Sequence, residues 1–432
     1  MGKDIEKQLM KAEQLDKARQ YKRAAKLFNT VGINFLKLGD YERAKECFFN
    51  AAKCAINEDK YLSGLEFLRN AGNVSLIMNN FSEAYQFFTK ALNYIPSLRS
   101  SSDRDYQFIL FSSLSYLCLF LEGKQEEGLN LVKKTKNFVD DIYFKENSLI
   151  KLIKDLTVAT KDKNKNYIKK IETDFENYNF HQGETYLAKL ALVLAKTIVT
   201  LITKSTFDKN VYTTNDIINL KLDIDTKPLL DISKNPFYNY NITELKISKI
   251  NITLSDNFTS YKKPELPIKI TPGHNYQLNL LIKPHFQMEK PFIGPITLSF
   301  ELNEILRFFY EIPETFYPNL ISPPPTLDIS IKNLRPPLIG QSFPLEIFLE
   351  NKSEGDALDL NIEIEFPENL KVMRGTLKKQ IYSLRSNENM KWEINLKPLE
   401  AGDYSIKVKT TFKDPDQNQI GEIKDFPLSI KL

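Results

Sequence analysis

The sequence predicts a multidomain protein that is helical first and β-rich second, an α-solenoid followed by two β-sandwiches. Three observations carry this. An apolar stripe recurs every 20 residues near the N-terminus, and proline occurs once before residue 206 (Pro96) but often after it. Beyond that point, helical spacing gives way to strand alternation, as in Glu244-Leu245-Lys246-Ile247 and Asn361-Ile362-Glu363-Ile364-Glu365-Phe366.

The stripe opens at Tyr21, Tyr41, Tyr61 and Phe81. From each aromatic a small residue follows at +3 (Ala24, Ala44, Gly64, Ala84) and a large apolar one at +7 (Phe28, Phe48, Leu68, Phe88). Another mostly small residue stands at +10 (Val31, Ala51, Ala71, Ala91). These offsets lie on one face of an α-helix. A short helix cannot bury such a face alone, so the four must stack. Ala or Gly lets a neighbouring backbone approach, and Phe or Leu fills the gap between helices. All these positions are expected to be core, none a site.

Residues 186–202 are apolar enough to raise a membrane span, but Lys189 and Lys196, with Lys204 beyond, fall on one helical face. The segment reads as an amphipathic helix packed against the rest of the protein. The helical domain is expected over 1–206, with a Thr- and Asn-rich hinge at 205–216. A first β-sandwich is expected over 213–318 and a second over 327–432, joined by a stiff linker at 313–326 that contains Pro323, Pro324 and Pro325. In the second module, strands are predicted at 327–332, 343–350, 359–366, 381–384, 390–396, 404–412 and 426–432, with Trp392 on an inner face. Seven short strands in this length fit an immunoglobulin-like sandwich.

A formal charge of +4 spread over 432 residues points away from nucleic acid. Cys47, Cys54 and Cys118 fall in predicted helices and suggest a reducing, cytoplasmic setting, and the N-terminus shows no apolar signal core. Phosphate-loop, zinc-protease and nucleophile-elbow motifs are absent. His181, His274 and His285 sit in different elements without metal-ligand spacing. Asp223-Ile-Asp225 lacks the Thr a phosphotransfer pair would need, since Lys227 stands there. No enzyme activity, cofactor, metal or catalytic residue is therefore expected. Partner binding is expected at a basic strip of exposed helix positions, Lys22, Arg23, Lys26, Arg43 and Lys45, acting through steering and register. A free edge strand in a β-module is the alternative.

Two resemblances bear on this. The spacing in Asp40-Tyr41-Glu-Arg-Ala44-Lys-Glu-Cys47-Phe48-Phe-Asn-Ala51 resembles the second helix of a tetratricopeptide repeat (TPR), with about 40 residues per hairpin in place of about 34. Hairpins of that length, followed by the segments opening at Phe111, Glu146 and Lys163, are similar to the solenoid and bundle of the soluble NSF attachment protein (SNAP) family. The resemblance covers residues 1–206. It implies a non-enzymatic adaptor in intracellular membrane trafficking or fusion that engages coiled-coil or helical bundles and recruits an AAA ATPase. The membrane-touching loop of that family has no counterpart between Gln14 and Tyr21, so any membrane association should be indirect or weak. A solenoid followed by sandwiches also resembles vesicle-tethering and coat subunits, and a general protein-binding scaffold is the other reading. The wording of the last module, from Leu345 to Ala357 and from Leu399 to Val408, resembles adhesion-type Ig-like domains.

Overall fold

The computed structural model describes residues 2–178, 180–285, 288 and 290–431. The chain is helical first and β-rich second. The helices are α1 (Gly2–Lys17), α2 (Tyr21–Lys37), α3 (Tyr41–Asn57), α4 (Tyr61–Ile77), α5 (Phe81–Leu92) and α6 (Ser101–Leu121). There follow α7 (Gln125–Thr135), α8 (Asp141–Glu146), α9 (Ser148–Lys161), α10 (Lys165–Asp174) and α11 (Gln182–Thr200), with α12 (Lys227–Lys234) later, among the strands.

The 20-residue period fixes the turns as well as the helices. Arg19, Gly39, Asp59 and Asn79 each stand two residues before an opening aromatic, and each has a left-handed backbone, with φ between 55° and 75°. The amide of the next residue reaches back to a carbonyl in the last turn: Gln20 to Leu15, Asp40 to Phe35, Lys60 to Ala55 and Asn80 to Ser75. This closure satisfies orphan carbonyls and reverses the chain. Asp40 and Asn80 then cap the next helix, accepting from the amides of Arg43 and Glu83 at 3.2 and 3.1 Å.

Every residue at +3, +7 and +10 is buried. The opening aromatics, expected as core, differ: Phe81 is buried, Tyr21 and Tyr61 are half-buried, and Tyr41 is 38% exposed. Two glycines set the hairpin spacing. A Cβ on Gly32 would lie 3.1 Å from the Phe48 ring, and one on Gly72 only 2.4 Å from the Phe88 ring. The contacts are 40 residues apart in sequence, so α2–α3 and α4–α5 are two copies of one hairpin. Beyond them, α6 is buried on all sides from Phe108 onward, as befits a helix apolar all round. On α11, Glu184 is fully buried and takes a two-point contact from Arg69 of α4, at 2.5 and 2.6 Å.

The strands are β1 (Ile202–Phe207), β2 (Tyr212–Thr213), β3 (Ile218–Asp225), β4 (Leu245–Leu254), β5 (Phe258–Lys262) and β6 (Ile268–Ile270). Next come β7 (Asn275–Pro284), β8 (Ile293–Leu302), β9 (Leu306–Ile312) and β10 (Leu320–Ile321). The last are β11 (Leu327–Asn333), β12 (Phe343–Asn351), β13 (Ala357–Glu365), β14 (Leu370–Arg374), β15 (Lys378–Leu384), β16 (Asn389–Pro398), β17 (Gly402–Lys413) and β18 (Gln419–Ile430). The first sandwich faces the sheet β1-β3-β7-β5 with the sheet β6-β4-β8-β9; the second faces β11-β12-β16-β14 with β15-β13-β17-β18. All these pairings are antiparallel. All seven strands predicted in the last module are present, and β14, short and followed by Gly375 at φ 121°, is an eighth.

The segment expected to hinge carries strand pairing at its start and near its middle. β1 starts at Ile202, two residues after α11 ends, and its register with β3 runs unbroken from Ile202–Asp225 to Phe207–Leu220. One continuous apolar core runs from the solenoid through α6 and α11 into the first sandwich, as far as Leu320. Tyr310 of β9 donates to the carbonyl of Leu201 at 3.1 Å, and Lys163 lies 4.0 Å over the Tyr310 ring. The lysines of α11 serve the same junction. Lys196 pairs with Glu172 at 2.8 Å, which also accepts from Tyr238, and Lys189 sits 4.9 Å over the Phe237 ring. The proline-rich linker is likewise clipped, since β10 pairs in parallel with β2. The second sandwich has a core of its own, from Leu327 to Ile430. Trp392 lies at the rim of that core, half-buried, with Lys379 4.8 Å over its ring. No described helix is long and apolar enough to cross a membrane.

Candidate functional site

The expected basic strip is divided between two helices. Lys22, Arg23 and Lys26 are exposed on α2, where Arg23 donates to Gln20 at 3.1 Å. Arg43 and Lys45 are on α3 and hold it to its neighbours. Arg43 pairs with Asp40 of its own cap and Glu6 of α1, and its guanidinium lies 4.2 Å over the Phe35 ring. Hydrogen bonds to Asp40 and then Glu6 raise its pKa. Lys45 bridges Glu42 at 2.6 Å and Glu83 of α5 at 2.9 Å. Partial burial pulls the Lys45 pKa down, but the bonds to Glu42 and Glu83 outweigh it and the net direction is up. Glu83 also accepts from Ser75 and Asn80 at 3.1 and 3.2 Å. Both cations are thus neutralised within the molecule and set helix register.

Between α3 and α5 these ion pairs frame a groove of about 450 Å³. Phe49 and Phe87 form its apolar wall, edge to face with ring centroids 5.5 Å apart, and both are half-buried. Lys53 and Lys90 reach over Phe49 at 4.2 and 4.4 Å. Neither has a carboxylate partner among the described residues; Lys53 has only the amide oxygen of Asn50, at 3.4 Å. A second hollow of about 240 Å³ shares Phe49, Lys53 and Lys90 and continues toward Ile56 and Tyr94. The result is an aromatic platform under two uncompensated cations, suited to an apolar side chain flanked by carboxylates. Sequence reasoning missed these four residues. The signal was present: Phe48-Phe49 and Phe87-Phe88 are doublets, and a helix whose +7 position is core turns the other aromatic of each doublet off the core stripe.

No group of His, Cys, Asp or Glu suited to a metal occurs among the described residues. His181 precedes α11, His274 precedes β7, and His285 meets Thr259 at 2.7 Å. Burial pushes the Cys47 and Cys54 thiols up to about 12 and the Cys118 thiol well above its usual value, so none is a ready nucleophile.

No known protein family matches the chain, and no curated protein matches it. Among solved structures it is similar to the adhesin InvE of Yersinia pseudotuberculosis, at 11% identity over 52% of this chain and 60% of the adhesin, with a TM-score of 0.19. It is similar to PapD-like domain 7 of human CEP192, at 18% identity over 26% of this chain and 88% of that domain, with a TM-score of 0.18. A transglutaminase of red sea bream is 7% identical over 59% of this chain and 34% of the enzyme, with a TM-score of 0.21. The chain thus spans less than two thirds of the adhesin and of the transglutaminase. At such TM-scores these likenesses carry no weight for activity or partners.

Proposed function

We propose that the protein is a non-enzymatic adaptor that seats a helix of a partner protein in the groove between α3 and α5. The observation that carries this is the pair Lys53 and Lys90, uncompensated cations over the Phe49–Phe87 wall. A helix with an apolar stripe and acidic flanks fits such a groove: its anchor packs on the aromatics, and its carboxylates meet the ammonium groups. Such helices abound in coiled-coil bundles, which supports the trafficking or fusion role that the SNAP resemblance implies, in the cytoplasm and with an AAA ATPase as second partner. The general scaffold is the competing reading.

The test is affinity capture on the full-length protein, with and without ATP, beside the double variant Lys53→Glu, Lys90→Glu. Recovery of coiled-coil membrane proteins and an AAA ATPase, lost in the variant, is the expected result. Partners without heptad-rich helices would favour the scaffold, and capture indifferent to the charge reversal would remove the groove from the argument.

A further inference from the structure

Strand β4 is ten residues long, but β6 covers only its first three, Leu245 to Ile247. Its other edge is paired with β8 from Leu245 to Leu254, with register shifts between Ile247 and Lys249 and between Ile252 and Leu254. Over residues 249–254 no described backbone group bonds to the first edge, so a row of amides and carbonyls stands open there. Opposite it, β5 is the end strand of the facing sheet, with its register broken between Ser260 and Lys262. The two open edges border a groove of about 360 Å³. Ile250, Ile252 and Leu254 alternate along β4, half-buried and lining this groove, and Leu266 stands 42% exposed at its rim.

Charge marks the mouth. Lys262 and Lys263 line the groove, and Lys249 lies on the open edge. These three have no ion-pair partner among the described residues, whereas nearby Lys246 and Lys269 hold Glu301 and Glu244 at 3.1 and 3.0 Å. The far edge of the same sheet, β9, is met by the helical half at the Glu122–Arg307 bridge. We propose that the open edge of β4 takes up an extended peptide from a partner protein as an added strand, apolar at alternate positions and acidic at its flanks. Main-chain bonds supply the affinity, alternate side chains fill the groove, and the three lysines select acidic neighbours while repelling basic strands. This site is separate from the α3–α5 groove and does not depend on it.

The test is to pan the full-length protein against displayed random peptides of about ten residues. Enriched sequences should alternate apolar and polar residues with acidic flanks. The best peptide, synthesised, should slow amide exchange at residues 249–254. Lys262→Glu with Lys263→Glu, both exposed positions, should weaken it by about tenfold or more. A central proline in the peptide should abolish the effect, since it removes a ladder donor. The proposal is overturned by an unenriched library, by protection elsewhere, by binding unchanged in the double variant, or by a dimer that protects the same amides without peptide.

Discussion

The two β-sandwiches are built alike, each from two four-stranded antiparallel sheets, yet they relate to the rest of the chain in opposite ways. The first shares one unbroken apolar core with the helices; the second closes its own. The difference lies in what reaches each sheet. Helices α6 and α11 lie against β9, and α12 packs Leu229 and Ile232 toward α11. The second sandwich is met by the proline-rich linker, where a Cβ on Gly355 would strike the Pro323 carbonyl at 1.8 Å, and by Asn215, whose side-chain amide faces Glu354. Similar folds can therefore be half of a larger domain or a whole one, depending on whether apolar surface is left for another element to cover.

The strongest way to break this comparison is to cut the chain. Separation after residue 206 divides the fused core, so neither residues 1–206 nor the first sandwich should show a cooperative transition of its own, and the piece 207–432 should show only that of the second sandwich. Removal of residues 327–432 should leave the remainder folding as before, and the freed sandwich should melt alone. A stable 1–206 fragment by calorimetry would refute the shared core.

Next in size is the Arg69–Glu184 contact, with Glu184 fully buried. Glu184→Ala leaves a guanidinium without its partner and should cost about 3–5 kcal/mol. Denaturation followed at Trp392, which reports the second sandwich alone, should not move. A shift of that signal would mean that the two bodies unfold together.

Gly72→Ala sets a Cβ 2.4 Å from the Phe88 ring and should cost about 1–3 kcal/mol. Gly32→Ala, at 3.1 Å from Phe48, should cost less. Equal losses in urea titration would show that the two hairpins do not differ in tightness.

The smallest effect concerns the clip that joins the bodies. Asp216 accepts from Lys209 at 2.7 Å and from the amide and hydroxyl of Thr213, in β2, at 2.7 and 2.9 Å. Lys209 first and the Thr213 amide second hold its carboxyl down to about 2, from an ordinary 3.8. A depressed carboxyl stabilises the fold above its unfolded value. That contribution should therefore be intact above about pH 4 and fade as pH falls toward 2. The Thr213 amide shift in an NMR titration should track it; a midpoint near 3.8 would show that the clip is not formed in solution.

Much of the helical half was legible because each repeat solves the same local problem. The residues at +3, +7 and +10 were read as core from spacing alone, and all of them are buried. The left-handed residue two positions before each aromatic could have been read too, from Gly39, Asp59 and Asn79, but Arg19 hides it because Arg does not favour that backbone. The basic strip was legible only in part. Exposure of Arg43 followed from the stripe, but the Lys45 side chain is only 12% exposed, and the ion pairs of the two reach Glu6 and Glu83, which lie on other helices.

The sequence by itself determined the order of helices and strands, the hairpin repeat and the seven strands expected in the last sandwich. Each rests on periodicity and turn chemistry within a few neighbouring residues. Only the tertiary structure decided that β1 and β2 pair within the expected hinge, that Phe49 and Phe87 form a wall under two lysines, and that one edge of β4 stays open. Those facts belong to pairs of residues brought together from distant positions, and a short-range pattern carries no record of which surface will find a partner.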